Sequence, residues 1–150
     1  MASFHVETSG LAESRAALKV KVRAVNAATR TATRQAKNHL DREVKNTLRR
    51  RSHRRGTPTP SPAGEPPAKI SGNLARTVRS RGPRMLRRGV WEAEIGPTAV
   101  YSRIQELGGH TGRGHRTHLP PRPYMKPTTR AQLARLHEFY RRAWREAIAA

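Results

Sequence analysis

GVWEAEIGP, Gly89 to Pro97, is the stretch on which the fold class turns. Trp91, Ala93 and Ile95 alternate with Glu92 and Glu94, so a period of two puts the apolar side chains on one face and the carboxylates on the other. Such a strand is half-buried and needs both a neighbour and a cover. The neighbour is expected just upstream. In ISGNLARTV (residues 70–78), Ser71 offers a cap for a short turn, which runs into a strand through about Arg79. RGPR (Arg81 to Arg84) then reads as the turn between the two strands.

The cover is expected from helices on either side. Downstream, the pattern predicts a short helix from Thr98 or Ala99 to Leu107, with Tyr101, Ile104 and Leu107 on one face and Gly108 and Gly109 as its stop. HTGRGHRTHLPPRPY, His110 to Tyr124, reads as loop. A last helix is predicted from about Thr128 to Ala149, with Leu133, Leu136, Tyr140, Ala143 and Ala147 inward and arginines outward.

Upstream, Phe4 and Val6 alternate with polar neighbours in residues 3–7, which suits a short strand. Leu11, Leu18, Val22, Val25, Ala32, Ala36, Leu40, Val44 and Leu48 then recur at spacings of three, four or seven, the signature of one helical face. Unbroken, that helix would span roughly 57 Å at about 1.5 Å per residue. A break is therefore expected near Lys19 to Arg23, where β-branched residues cluster. Ala28, Ala32 and Ala36 leave the middle of the stripe thin, allowing close packing, for instance against another subunit. GTPTPSPAGEPPAK, Gly56 to Lys69, holds too many prolines for a helix or a central strand and is expected to be an exposed loop ordered mainly by other chains. The expected architecture is α+β. A small antiparallel sheet is flanked by a long N-terminal helix and a C-terminal helix, with an extended proline-rich loop. Residues 1–150 are read as a single domain: 1–55 strand and long helix, 56–70 loop, 71–150 sheet, short helix and C-terminal helix.

Composition bounds the function. The chain has 150 residues, of which 35% are hydrophobic and 5% aromatic, so its core is small. A formal net charge of +21 gives it a field that attracts nucleic acid, acidic surfaces or anionic lipid. Of the 31 basic residues, 25 are arginine, whose forks suit phosphates and carboxylates; a GC-rich coding genome would produce the same bias. No cysteine is present, which excludes thiolate metal sites and cysteine nucleophiles. There is no signal-like apolar run and no stretch long enough for a membrane span, so the chain is expected to be made and used in the cytosol unless something else carries it out, with no membrane partner.

Chemistry-bearing clusters are sparse. His110, His115 and His118 share one glycine-containing segment, but the nearest acid is Glu106, and Arg113 and Arg116 would repel a cation. A loop that contacts a partner accounts for them better than a metal. The ten carboxylates form no spaced catalytic pair, and neither GxSxG nor a phosphate-cradling GxxxxGKS loop occurs. The chain is accordingly read as non-enzymatic, with no cofactor and no metal. The basic run Arg49, Arg50, Arg51, Arg54 and Arg55 is a candidate contact for DNA or an acidic partner; alternatively it is a solvated helix end favoured by the helix dipole. No aromatic residue lies between Phe4 and Trp91, so base stacking is not expected from this region.

Three further motifs stand in order: Ser71-Gly72-Asn73-Leu74-Ala75-Arg76, then Tyr101-Ser102-Arg103-Ile104-Gln105-Glu106-Leu107-Gly108, then Pro120-Pro121-Arg122-Pro123-Tyr124-Met125-Lys126-Pro127. Together they resemble the small head–tail joining (neck or tail-completion) proteins of long-tailed bacteriophages. That family's pattern runs TG-N-L-R, Y-A-x-x-x-E-x-G, P-P-R-P-F-L-x-P-A. The resemblance covers roughly the last 85 residues, with the N-terminal helix fitting loosely. Ser71 stands for Thr, Ser102 for Ala and Tyr124 for Phe; the large positive charge is a stronger departure.

The resemblance implies a virion protein at the neck, forming a closed cyclic homo-oligomer, hexameric or dodecameric, around a DNA channel. Its implied partners are a head adaptor or stopper and a tail terminator or tail-tube protein, with genomic DNA passing through. The rivals are a basic nucleic-acid-binding protein and a tail terminator or minor tail protein. In PPRPYMKP the prolines fix an extended, donor-poor backbone suited to a docking strap. Arg122, Tyr124, Met125, Glu106 and Tyr101 are the docking candidates. Arg122 is expected to pair with Glu106, and Tyr124 either anchors a neighbour or seals the core of its own chain.

Overall fold

The computed structural model describes residues 9–54, 56 and 61–149. The strand expected at residues 3–7, Arg55 and residues 57–60 of the proline-rich loop lie outside the described residues. Helix α1 runs without interruption from Leu11 to Arg49. The expected break near Lys19 to Arg23 does not occur. No glycine or proline lies between Leu11 and Arg49, and each valine lowers helix propensity by no more than about 0.7 kcal/mol. Length is instead accommodated by overhang, because residues 11–22 are exposed throughout.

Helix α4, Met125–Ala149, lies antiparallel along the rest of α1. Polar pairs mark the seam from one end to the other. Lys21 Nζ donates to the Ile148 carbonyl at 3.1 Å, Trp144 Nε1 to Thr29 Oγ1 at 2.9 Å, and Tyr140 Oη to Thr33 Oγ1 at 3.1 Å. His39 Nε2 meets Gln132 Oε1 at 2.8 Å, and the Thr47 and Thr128 hydroxyls lie 3.0 Å apart. Ala32 and Ala36 are buried by the chain itself, not left for a second subunit. On α4, Leu136, Tyr140, Ala143 and Ala147 are partly buried, whereas Leu133 is exposed because Gln132 takes the place facing α1.

Between the helices, α2 (Asn73–Arg76) leads into strand β1 (Val78–Arg87), which pairs antiparallel with β2 (Val90–Pro97). RGPR is not the turn. It sits inside β1 as a bulge, where the register shifts between Arg81 and Arg84. Pro83 has no N–H to give the ladder, so a bulge accommodates it. Gly82 holds φ at 84°, and a Cβ there would fall 2.7 Å from the Glu92 carbonyl oxygen. The reversal lies at Arg88 and Gly89, since Arg87 already pairs with Val90. Trp91, Ala93 and Ile95 face the helices, and Trp91 Nε1 donates to Asn26 Oδ1 of α1 at 2.8 Å. Trp91 is half-buried rather than sealed, with Arg30 over its ring at 5.6 Å.

After β2, α3 (Ser102–Leu107) is shorter than expected; of Tyr101, Ile104 and Leu107 only Ile104 is partly buried, and Leu107 is 64% exposed. The stretch expected to be loop contains a second hairpin, β3 (Gly109–Thr111) and β4 (Thr117–Leu119), joined by a 3-10 turn at Arg113–His115. The core is small: Val44, Leu48, Ala75, Val78 and Tyr124 are buried, with Leu40, Leu74, Ile95 and Met125 packed against them. The result is an α+β fold with two small antiparallel sheets between a long N-terminal and a C-terminal helix. No helix among the described residues is long and apolar enough to cross a membrane.

Candidate functional site

The three motif stretches meet at one joint. Asn73, at the start of α2, donates from Nδ2 to the Tyr101 hydroxyl at 3.0 Å, and its backbone N–H reaches Ser71 Oγ at 3.3 Å. Ser71 therefore supports the turn from one residue further back, because Gly72 takes the cap position in the left-handed region. Five residues beyond Tyr101, the Glu106 carboxylate accepts three backbone N–H groups at the start of α4. Its Oε2 takes those of Tyr124 at 2.8 Å and Met125 at 3.0 Å, and its Oε1 takes that of Lys126 at 3.0 Å. A helix start leaves such donors unpaired and carries the positive end of the helix dipole, so a carboxylate there serves both. With its first donors held, α4 begins at Met125 rather than Thr128, and Pro127 falls in the first turn, where a missing N–H does no harm.

This geometry corrects the expected pairing of Arg122 with Glu106, whose oxygens are engaged by the backbone. Arg122 is instead held by its main chain, its N–H donating to the Gln105 carbonyl at 2.7 Å. Its Nε is buried without a hydrogen-bond partner among the described residues, as is Gln105 Oε1. Tyr124 is 1% exposed, and its hydroxyl donates to the Ser102 carbonyl at 3.4 Å. Burial pushes its phenol up to about 12, helped by the negative charge of Glu106 and by Tyr101. Of the two roles open to Tyr124, the structure assigns the core. Met125 packs against that core as well, so neither side chain is presented for docking. Tyr101 remains 38% exposed.

The strap approaches α3 closely. Gly108 has φ 71°, and a Cβ there would lie 2.8 Å from the Pro121 nitrogen. On the other side, the Pro121 carbonyl accepts the Gly64 N–H at 2.8 Å. The second half of the proline-rich loop is thus tied to its own chain, contrary to the expectation of order from other chains. Ser61 is buried, with its Oγ accepting the Ala68 N–H at 2.6 Å. The Lys69 N–H donates to the Arg51 carbonyl at 2.7 Å, and the Arg51 side chain pairs with Glu65. A cleft of about 670 Å³ lies between this loop, Leu48, α2, Tyr101 and Gln105.

The remaining candidates are scattered. Arg49 ends α1, and Arg50, Arg51 and Arg54 follow it in the exposed chain, with Arg51 engaged as described and Arg55 outside the described residues. His110 and His118 sit across β3 and β4 with ring centroids 5.3 Å apart, and His115 is at the exposed tip. Among the described residues no group of three or more His, Asp or Glu is placed to hold a metal ion. Sequence reasoning missed the three-donor role of Glu106 and the bond from Asn73 to Tyr101. Each joins residues far apart in sequence, so no local spacing announces it. It also missed the fork of Arg84 to Glu92 and Glu94, which holds that guanidinium above its ordinary range through the Glu92 hydrogen bond and both negative charges. The chain matches no protein-family model, no curated protein and no solved structure.

Proposed function

We propose that the chain is a non-enzymatic structural subunit of the head-to-tail connector of a long-tailed phage, a ring former at the neck around the DNA channel. The single observation carrying this reading is the convergence of the three motifs on one joint. The residues that make the resemblance are those that bond to one another: Asn73 to Tyr101, and Glu106 to the Tyr124, Met125 and Lys126 backbone. A chance similarity of three short strings gives no reason for them to form a single structural unit.

The exposed third of α1 supports the assembly part of the reading. Leu18 and Val20 there are 65% and 62% exposed, and Leu11 and Val22 accompany them. Exposed apolar side chains beside a well-tied body suit contact between subunits, and head-to-tail contacts that close after a fixed rotation give rings. Its partners would be copies of itself, a head adaptor or stopper, and a tail terminator or tail-tube protein.

The test is to deplete the chain during assembly of the phage that encodes it and image the products. Full heads and free tails, together with antibody labelling at the neck of complete particles, are the expected result. Normal particles without the chain would overturn the reading.

A further inference from the structure

We propose that the β3–β4 hairpin is a finger that contacts the phosphate backbone of duplex DNA, through Arg113 and Arg116 at its tip with His110, His115 and His118 beside them. This inference does not rest on the neck reading. It also moves the nucleic-acid contact away from Arg49–Arg55, where Arg51 is already paired with Glu65.

Charge is the first argument. No Asp or Glu occurs between Glu106 and Glu138. Five of the ten carboxylates are held elsewhere: Asp41 with Lys45, Glu65 with Arg51, Glu92 and Glu94 with Arg84, Glu106 with the α4 backbone. Among the described residues neither Arg113 nor Arg116 meets a carboxylate within ion-pair distance. Both are exposed, as are the three histidines, whose imidazoles each carry at least one N–H donor.

Composition of the tip selects the partner. From His110 to His118 the chain contains no aliphatic or aromatic hydrocarbon side chain. Protein interfaces concentrate their affinity in Trp, Tyr and Arg anchors seated in desolvated pockets; this finger offers arginine but no Trp, Tyr or aliphatic side chain to exclude water around it. Single strands are held by stacking on aromatic rings, and here no Phe, Tyr or Trp is present, which leaves only histidine rings and arginine planes for that role. A short two-stranded ribbon does fit the wide major groove of B-form DNA, whereas the deep, narrow major groove of A-form RNA excludes it. The glycines at 112 and 114, with positive φ of 77° and 69°, let the ribbon reverse within a few residues and keep its tip thin.

The experiment measures binding of the full chain to a short mixed-sequence DNA duplex by fluorescence anisotropy, from about 50 to 200 mM salt. Replacing both tip arginines, Arg113→Ser with Arg116→Ser, should reduce the slope of log K against log salt by about 2, since each lost phosphate contact removes about 0.9. Arg113→Lys with Arg116→Lys should keep the slope, because lysine still neutralises a phosphate. Arg141→Ser with Arg145→Ser on α4 removes the same charge elsewhere and should leave the slope unchanged. An unchanged slope in the tip serine variant, or an equal loss in the α4 variant, would overturn the assignment. So would equal tip-dependent binding to an RNA duplex, or tip-dependent binding to an acidic protein with none to DNA.

Discussion

The two ends of α1 lie in opposite physical situations. At its C-terminal end, Val44 and Leu48 are buried against Ala75, Val78 and Tyr124, and the surrounding segments are tied by side chain to backbone across long sequence distances. At its N-terminal end, residues 11–22 have the same helical periodicity and stay exposed, Leu18 at 65%. An amphipathic stripe shows only that a helix wants a partner. Whether its own chain supplies one depends on lengths: α4 ends opposite Lys21, so the helix outruns its cover by about 15 Å at 1.5 Å per residue. An isolated helix of that length is marginal in water, and its apolar face is available for another molecule.

The contrast can be broken most severely at the joint. Tyr124→Ala should destabilise the fold by about 3–5 kcal/mol, the range for truncating a large buried aromatic. Chemical denaturation of the purified variant checks it, and an unchanged midpoint would remove Tyr124 from the core. Glu106→Ala comes next. Three backbone donors at the start of α4 lose their acceptor, for an expected loss of about 2 kcal/mol, the upper end for a helix cap. Amide exchange should rise at Tyr124, Met125 and Lys126 while the seam near Trp144 stays protected.

The Tyr124 phenol gives a pH test of the same joint. Its folded-state value is raised to about 12 from the ordinary 10.0, so the folded state holds the proton more tightly. The associated stability is fully present below pH 10.0 and is lost as pH rises through that window. Tyr124→Phe should flatten the decline between those values in thermal melts and otherwise change little, since the hydroxyl bond is a long 3.4 Å. An identical decline in the variant would assign the alkaline loss elsewhere.

The smallest effect on the isolated chain is expected at the arm. Leu11→Ser, Leu18→Ser and Val22→Ser should each shift monomer stability by less than about 0.5 kcal/mol, as exposed substitutions do, and together by about 1.5 kcal/mol at most. The same triple variant should lose self-association. A large drop in stability without any change in assembly would show that the arm is covered by its own chain.

These two regions also divide what was legible in the sequence. The alternation of Trp91, Ala93 and Ile95 and the stripes of the outer helices record burial on one face, which periodicity reports directly; the α+β class follows from them. The hairpin reversal is not where Gly82 and Pro83 point, because these residues usually form turns and here they absorb a bulge. β3 and β4 escaped notice because three-residue strands rich in His, Thr and Gly carry no alternation of hydrophobicity. Length and clustered valines predict a break in α1, yet a helix stays continuous where its own chain does not cover it. At the joint, the motifs mark both Glu106 and Tyr124, but opposite charge points Glu106 to Arg122, whereas the backbone N–H groups two to four residues further on take its oxygens. A carboxylate at a helix start satisfies three donors at once, and that advantage appears only when the chain is folded.

The most direct measurement of the central claim is native mass spectrometry of the purified full chain at micromolar concentration, beside the Leu11, Leu18 and Val22 serine variant. The account predicts a single closed oligomer, hexameric or dodecameric, for the parent chain and a folded monomer for the variant. A parent chain that stays monomeric at every concentration, or a variant that assembles as the parent does, would contradict it.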